Sequence, residues 1–190
     1  MRVKLSAVVS LGAILLAGSA PATAQSSGRF TLTSTDLKPN GMIQAHNVAN
    51  TFGCSGQNVS PALQWSGAPA GTKSFAITAY DPDAPTGSGL WHWVVYNIPA
   101  TVTTLPAGAG AQAGGALPAG AVQGHNDVWQ ESYLGPCPPV GDKAHRYIFT
   151  VYALKTAKLD VPANATAALV GFNLHGNLLG KATLTARYRR

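Results

Sequence analysis

Glycine and proline punctuate this chain so densely that long regular helices are ruled out before any motif is considered. There are 21 glycines and 13 prolines among 190 residues. Glycine weakens a helix interior and proline breaks one. Only the short segment 167–179 keeps apolar residues at helical spacing. Between the breakers lie short runs of alternating apolar and polar residues, the pattern of strands joined by turns. The clearest are 30–32, 73–80, 93–98, 147–154 and 182–188. The fold class this implies is mainly β, a sandwich or a related β-rich domain. Residues 103–124, rich in Ala, Gly and Pro, read as a surface excursion with little volume to bury.

Residues 1–24 have the features of an export signal. Arg2 and Lys4 supply the positive region, 8–17 the apolar stretch, and Ala22-Thr23-Ala24 a small-residue cleavage site. The apolar stretch is too short for a stable spanning helix, so no stable membrane insertion is expected. No cysteine follows it, which argues against a lipid anchor. Residues 25–190 then form one domain in the periplasm or outside the cell.

The formal charge is +6, or +4 once Arg2 and Lys4 leave with the signal. The basic residues are scattered rather than striped with aromatics, which argues against nucleic acid as a partner. Arg187, Arg189 and Arg190 crowd the C-terminal end and read as a solvated basic terminus. The two cysteines, Cys54 and Cys137, lie beside turn-rich segments. In an oxidising compartment they are expected to form a disulfide, the alternative being two independent small core residues.

Period-2 parity orients the polar residues. Phe75, Ile77 and Ala79 share a face that Asp81 continues. His92 falls on a face with Val94, Tyr96 and Ile98, and His145 and Tyr147 on one with Phe149 and Val151. Each polar group therefore ends a core-facing row, where a small polar pocket would open.

Asp81-Pro82-Asp83-Ala84-Pro85 with Trp91-His92-Trp93, and Gly135-Pro136-Cys137-Pro138-Pro139 through His145-Arg146-Tyr147, resemble the two signature regions of the phosphatidylethanolamine-binding protein family. They are most similar to its bacterial branch, often called Raf kinase inhibitor-like proteins. Gln57-Asn58-Val59-Ser60-Pro61, Trp65-Ser66-Gly67-Ala68-Pro69 and Asn126-Asp127 support the resemblance, which covers nearly all of the expected mature chain. It implies a large antiparallel sheet packed on a smaller one, short helices near the C-terminus, and a small anion pocket at one end. By the same resemblance Asp81, His92, His145 and Tyr147 map onto the pocket's polar lining, and Pro138 and Pro139 onto its rigid loop. Cys137 stands where some relatives have a loop glycine. A histidine common near the C-terminus of bacterial relatives is replaced by Asn177, with His175 nearby, which leaves a gating role for that segment open.

Imidazole and phenol donors suit phosphate-like oxygens, and anion affinity is expected to fall as histidines lose their charge. Asp81 would orient a histidine, accept a proton from a monoprotonated phosphate, or bind an ammonium group. Asp83 belongs either to the same ligand set or only to the turn, through an Asx-type bond. His46 and His125 read as surface residues, and Arg146 as a surface ion-pair partner. No metal site or cofactor is expected, because the histidines lack close ligand spacing. No nucleophile elbow marks a hydrolase, although Ser60 and Ser132 flank the pocket loops. The expectation is a non-catalytic, monomeric or dimeric binding protein for a small phosphate- or carboxylate-bearing ligand, such as a lipid head group. The alternative is a secreted protease inhibitor or signalling modulator that acts on a protein partner through its surface.

Overall fold

The alternating runs pair into two antiparallel sheets in a computed structural model that describes residues 28–112 and 115–190. The expected export signal, residues 1–24, lies outside the described residues. The small sheet has the order β1 (Thr31–Thr33), β2 (Leu63–Ser66), β5 (Thr104–Leu105). The large sheet runs β6 (Val122–Gln123), β4 (Leu90–Pro99), β3 (Ser74–Asp81), β7 (His145–Leu154), β8 (Leu178–Tyr188). A single α-helix among the described residues, α1 (Ala167–Gly176), precedes β8, and one 3-10 turn spans Ala45–Asn47. The α-helix is capped by the Thr166 hydroxyl, which accepts from the Leu169 amide. The architecture is therefore mainly β, with the large and small sheets that the family resemblance implies.

Two apolar layers hold this arrangement together. One lies between the sheets, where Leu32, Leu63, Trp65 and Leu105 of the small sheet meet Phe75, Ile77, Trp93, Val95, Phe149 and Val151 of the large one. The other lies on the far face of the large sheet, where α1 covers Ala76, Val94 and Tyr96 with Val170 and Leu174. The central strand β3 is thus covered on both faces, and seven of its eight residues are buried. A strand so placed gains apolar burial from both rows of side chains.

The parity reading holds along β3 and β7 and fails along β4. Register shifts interrupt the β3–β4 ladder between Ala79 and Tyr80 and between Phe75 and Ile77. Ala79 faces Trp93 while Tyr80 faces Trp91, so His92 is the extra residue of a β-bulge. Leu90 and His92 line the site, and Trp93 and Val95 enter the inter-sheet core. Val94 and Tyr96 turn instead to the helix side. The second shift falls near Asn97, at φ 59°, whose carboxamide oxygen accepts from the Leu159 amide. It returns Ile98 to the inter-sheet core. His92 therefore does not share a face with Val94 and Tyr96.

Residues 103–124 are not simply a surface excursion. They carry β5 and β6, and Leu105 and Ala109 are fully buried. Gly110 lies so close under Trp93 and Tyr133 that a Cβ would collide with both. The small residues there permit close approach of the backbone to aromatic rings.

Candidate functional site

Asp81 closes β3 and His145 opens β7, two strands that run side by side. The Asp81 Oδ1 accepts from the Asp83 amide at 2.8 Å, an Asx turn that fixes the carboxylate. Its Oδ2 lies 2.8 Å from His145 Nδ1. Asp142, three residues upstream of His145, places Oδ2 3.2 Å from Nε2. Two carboxylates can only accept, so both ring nitrogens donate and the imidazole is doubly protonated. Burial opposes that charge, but the hydrogen bonds and charges of Asp81 and Asp142 outweigh it and hold His145 above the ordinary histidine range.

His92 behaves in the opposite way. Its Nδ1 lies 2.8 Å from the Leu134 carbonyl, and the Leu134 amide donates back to the His92 carbonyl. A carbonyl cannot donate, so Nδ1 carries the proton and Nε2 keeps its lone pair. Complete burial pushes this imidazole below the usual range, more than the Leu134 carbonyl and the Asp81 charge raise it. Tyr147 packs edge-on against the ring with centroids 5.2 Å apart. Burial, with the Asp81 charge added, raises its phenol and keeps it a donor.

These four side chains line one cavity of about 400 Å³. Pro85, Leu90, Val128 and Leu134 form much of the apolar wall, and Cys137, Pro138 and Pro139 form another side. Phe52 stands at the mouth, 60 % exposed and at φ 54°. Cys54, two residues on, is bridged to Cys137 with Cα atoms 5.9 Å apart. The disulfide expected from the sequence thus ties the Phe52 loop to the proline loop. Asn58, also at positive φ, fixes the floor: its amide donates to the Tyr133 carbonyl and its oxygen accepts from the Gly135 amide.

Asp83 lies outside this cavity. Its carboxylate accepts from the Arg146 backbone amide, Nε and Nη2 at 2.6–2.9 Å. That fork holds Asp83 down to about 2, an effect that burial only partly opposes. The Asx-type bond in this turn is made by Asp81, and Asp83 clamps the turn to β7.

Arg190 was not among the expected site residues, yet it lines the cavity, with Nε donating to the Pro138 carbonyl at 2.6 Å. The signal lies in the strand pairing. Segment 182–188 alternates, and Tyr188 pairs with His145, so the next residues of the chain reach the mouth. Asn177 caps α1 and bonds the Asn173 carbonyl; neither it nor His175 lines the cavity. Ser60 and Ser132 are buried, the Ser60 hydroxyl accepting from the Gly110 amide, and neither reaches the cavity. His125 is more than a surface residue. Its ring stacks on Trp129 with centroids 4.4 Å apart.

Residues 33–189 match the family model described as phosphatidylethanolamine-binding protein. The chain is 54% identical to the protein YbcL of Escherichia coli over 159 residues, 84% of this chain and 87% of that one. Its identity to YbhB of the same organism is 48% over 157 residues, 83% of this chain and 98% of that one. A Mycobacterium tuberculosis relative named "Putative lipoprotein LppC" is 37% identical over 137 residues, 72% of this chain and 63% of that one. Among the described residues no helix is long and apolar enough to cross a membrane. The crystal structure of E. coli YbcL superposes with a TM-score of 0.84 at 53% identity, covering 86% of this chain and 99% of the other. With the signature turns, the two sheets and these matches in agreement, the chain belongs to the phosphatidylethanolamine-binding protein family.

Proposed function

We propose that this protein is an exported, non-catalytic binding module that captures a small phosphate- or carboxylate-bearing ligand in the cavity of Asp81, His92, His145 and Tyr147. The observation that carries this reading is the convergence of those four side chains, from three strands, on one hollow of about 400 Å³. That size lies within the range of small-molecule sites. The groups are complementary to a head group that carries both an anion and donors. Tyr147 donates, His92 accepts through Nε2, and Asp81 supplies negative charge beside them. A phosphoethanolamine head has this composition, and the family's name points the same way.

Two observations support a binding role without chemistry. The hydroxyls among the lining residues are those of Thr86 and Tyr147. Thr86 is spent on the Gly89 carbonyl, and Tyr147 is held protonated. A serine-type nucleophile beside a free base, as acyl transfer needs, is not assembled at the described residues of the cavity.

Calorimetric titration with phosphate, acetate and phosphoethanolamine tests the reading. The expected result is saturable one-to-one binding of at least one of them, with phosphoethanolamine, whose ammonium carries N–H donors, weakened when His92→Phe removes the acceptor. No heat from any of the three up to about 10 mM, a range that detects binding as weak as about −2.7 kcal/mol, would overturn it. Turnover of a phosphoester or ester panel would overturn the non-catalytic part.

A further inference from the structure

We infer that Arg190 is the side chain that takes the anionic group of the ligand in this cavity, an assignment that rests on the binding reading above. The other basic side chains at or beside the polar wall are already committed. His145 is held between Asp81 and Asp142, 2.8 and 3.2 Å away, so neither ring N–H is left for a ligand. Arg146 spends its guanidinium on Asp83. His92 gives its proton-bearing nitrogen to the Leu134 carbonyl, leaving an acceptor where an anion needs a donor.

Arg190 is different. Its Nε donates to the Pro138 carbonyl at 2.6 Å, which orients the guanidinium plane against the proline loop. Its two terminal nitrogens make no hydrogen bond among the described residues. A planar fork with two unspent N–H₂ groups suits a phosphate, sulfate or carboxylate. The orienting bond also lowers the ordering entropy that a long side chain would otherwise lose on binding. The side chain stands beside Phe52, Cys137 and Pro139 at the mouth, so an anion held there would leave the rest of the ligand directed toward Tyr147, His92 and Asp81. This places the positive charge offered to the ligand on a guanidinium rather than on an imidazole.

Sulfate, which stays fully ionised across the range used, is the probe. Calorimetry on the full chain is expected to show Arg190→Gln weakening sulfate by about tenfold or more, the usual size for a charged hydrogen-bond donor. Arg190→Lys should retain part of the affinity, and the unfolding temperature of both variants should stay within about 2 °C of wild type, as for an exposed substitution. A structural role would not produce the second readout. Between pH 6 and pH 8, Arg190→His should lose about tenfold more affinity than wild type as its new imidazole deprotonates, the titration of His145 being common to both. The groups facing Arg190 across the cavity (Asp81, His92, His145 and Tyr147) are present in every variant and serve as the internal control. Unchanged sulfate affinity in Arg190→Gln overturns the assignment alone. Loss confined to Lys143→Gln and Arg187→Gln does the same, and moves the anion to the neighbouring groove that Lys143, Arg146 and Arg187 line with Asp83 and Asp142. A wild-type protein that binds phosphoethanolamine but not sulfate overturns the assignment and leaves the binding reading standing. Failure of every ligand overturns both.

Discussion

Removing the Cys54–Cys137 bridge should destabilise the fold by about 4.5 kcal/mol. The cross-link closes a loop with a sequence separation of 83 residues, and in the chain-entropy relation a loop of that length removes about 15 cal/mol/K from the unfolded chain. Both cysteines are only partly buried and lie outside the strands, so lost packing in Cys54→Ala/Cys137→Ala adds under about 1 kcal/mol. For a domain of this size the change corresponds to a fall of roughly 9–18 °C in unfolding temperature. It also lowers the urea midpoint by about 2 M for a slope of 2–2.5 kcal/mol/M. The assay is urea unfolding followed by tryptophan fluorescence on wild type, reduced wild type and the double alanine variant. The last two should coincide. A loss below about 1 kcal/mol in both would refute the reasoning, because the unfolded chain would then not be what the bridge restrains.

His145 is held above the ordinary histidine range, so the stability it contributes is complete below its unfolded value of about 6.5 and is lost as pH rises through its folded value. Asp142→Asn should bring that loss to lower pH, seen by imidazole NMR titration and by urea unfolding on either side of neutrality; an unshifted titration would count against the clasp. Asn58→Ala strips partners from the Tyr133 carbonyl and the Gly135 amide, and should cost about 2 kcal/mol or more in urea unfolding. Gly135→Ala drives a Cβ into the Ala49 and Asn47 backbone; a loss of about 1–3 kcal/mol is expected, and a neutral result would mean that this floor yields. N-terminal sequencing of protein recovered from the periplasm should begin near Gln25, and a retained Met1 would remove the export reading.

Much of the site could be read from residue order because β3 and β7 are regular. Parity along Phe75, Ile77 and Ala79 leads to Asp81, and along Val151, Phe149 and Tyr147 to His145, as the structure has them. The same rule misplaced Val94 and Tyr96, since a bulge inserts one residue without any composition change that flags it. The strands β5 and β6 have two residues each, too few to alternate. Segment 103–124 was misread because small residues were equated with absent packing, whereas Gly110 is small to admit Trp93 and Tyr133. Asp83 and Arg190 were misassigned for one reason. Each is placed by a partner remote in the chain, Arg146 for the first and Pro138 for the second; for Arg190 the alternation of 182–188 gave the direction of the strand but not the partner that holds the side chain.

The bulge at His92 also bears on how the proposed binding cavity could change its guest. An ordinary strand offers only alternate positions to one side, so a new contact for the ligand displaces something that the interior needs. Here two consecutive side chains point inward, Trp93 filling the space between the sheets and His92 facing the hollow. Exchanging position 92 alters what the hollow can grip without disturbing the layer that Trp93 fills. On the proposed function, recognition and structural integrity fall to adjacent but separable positions, which frees selection to retune the first at little expense to the second.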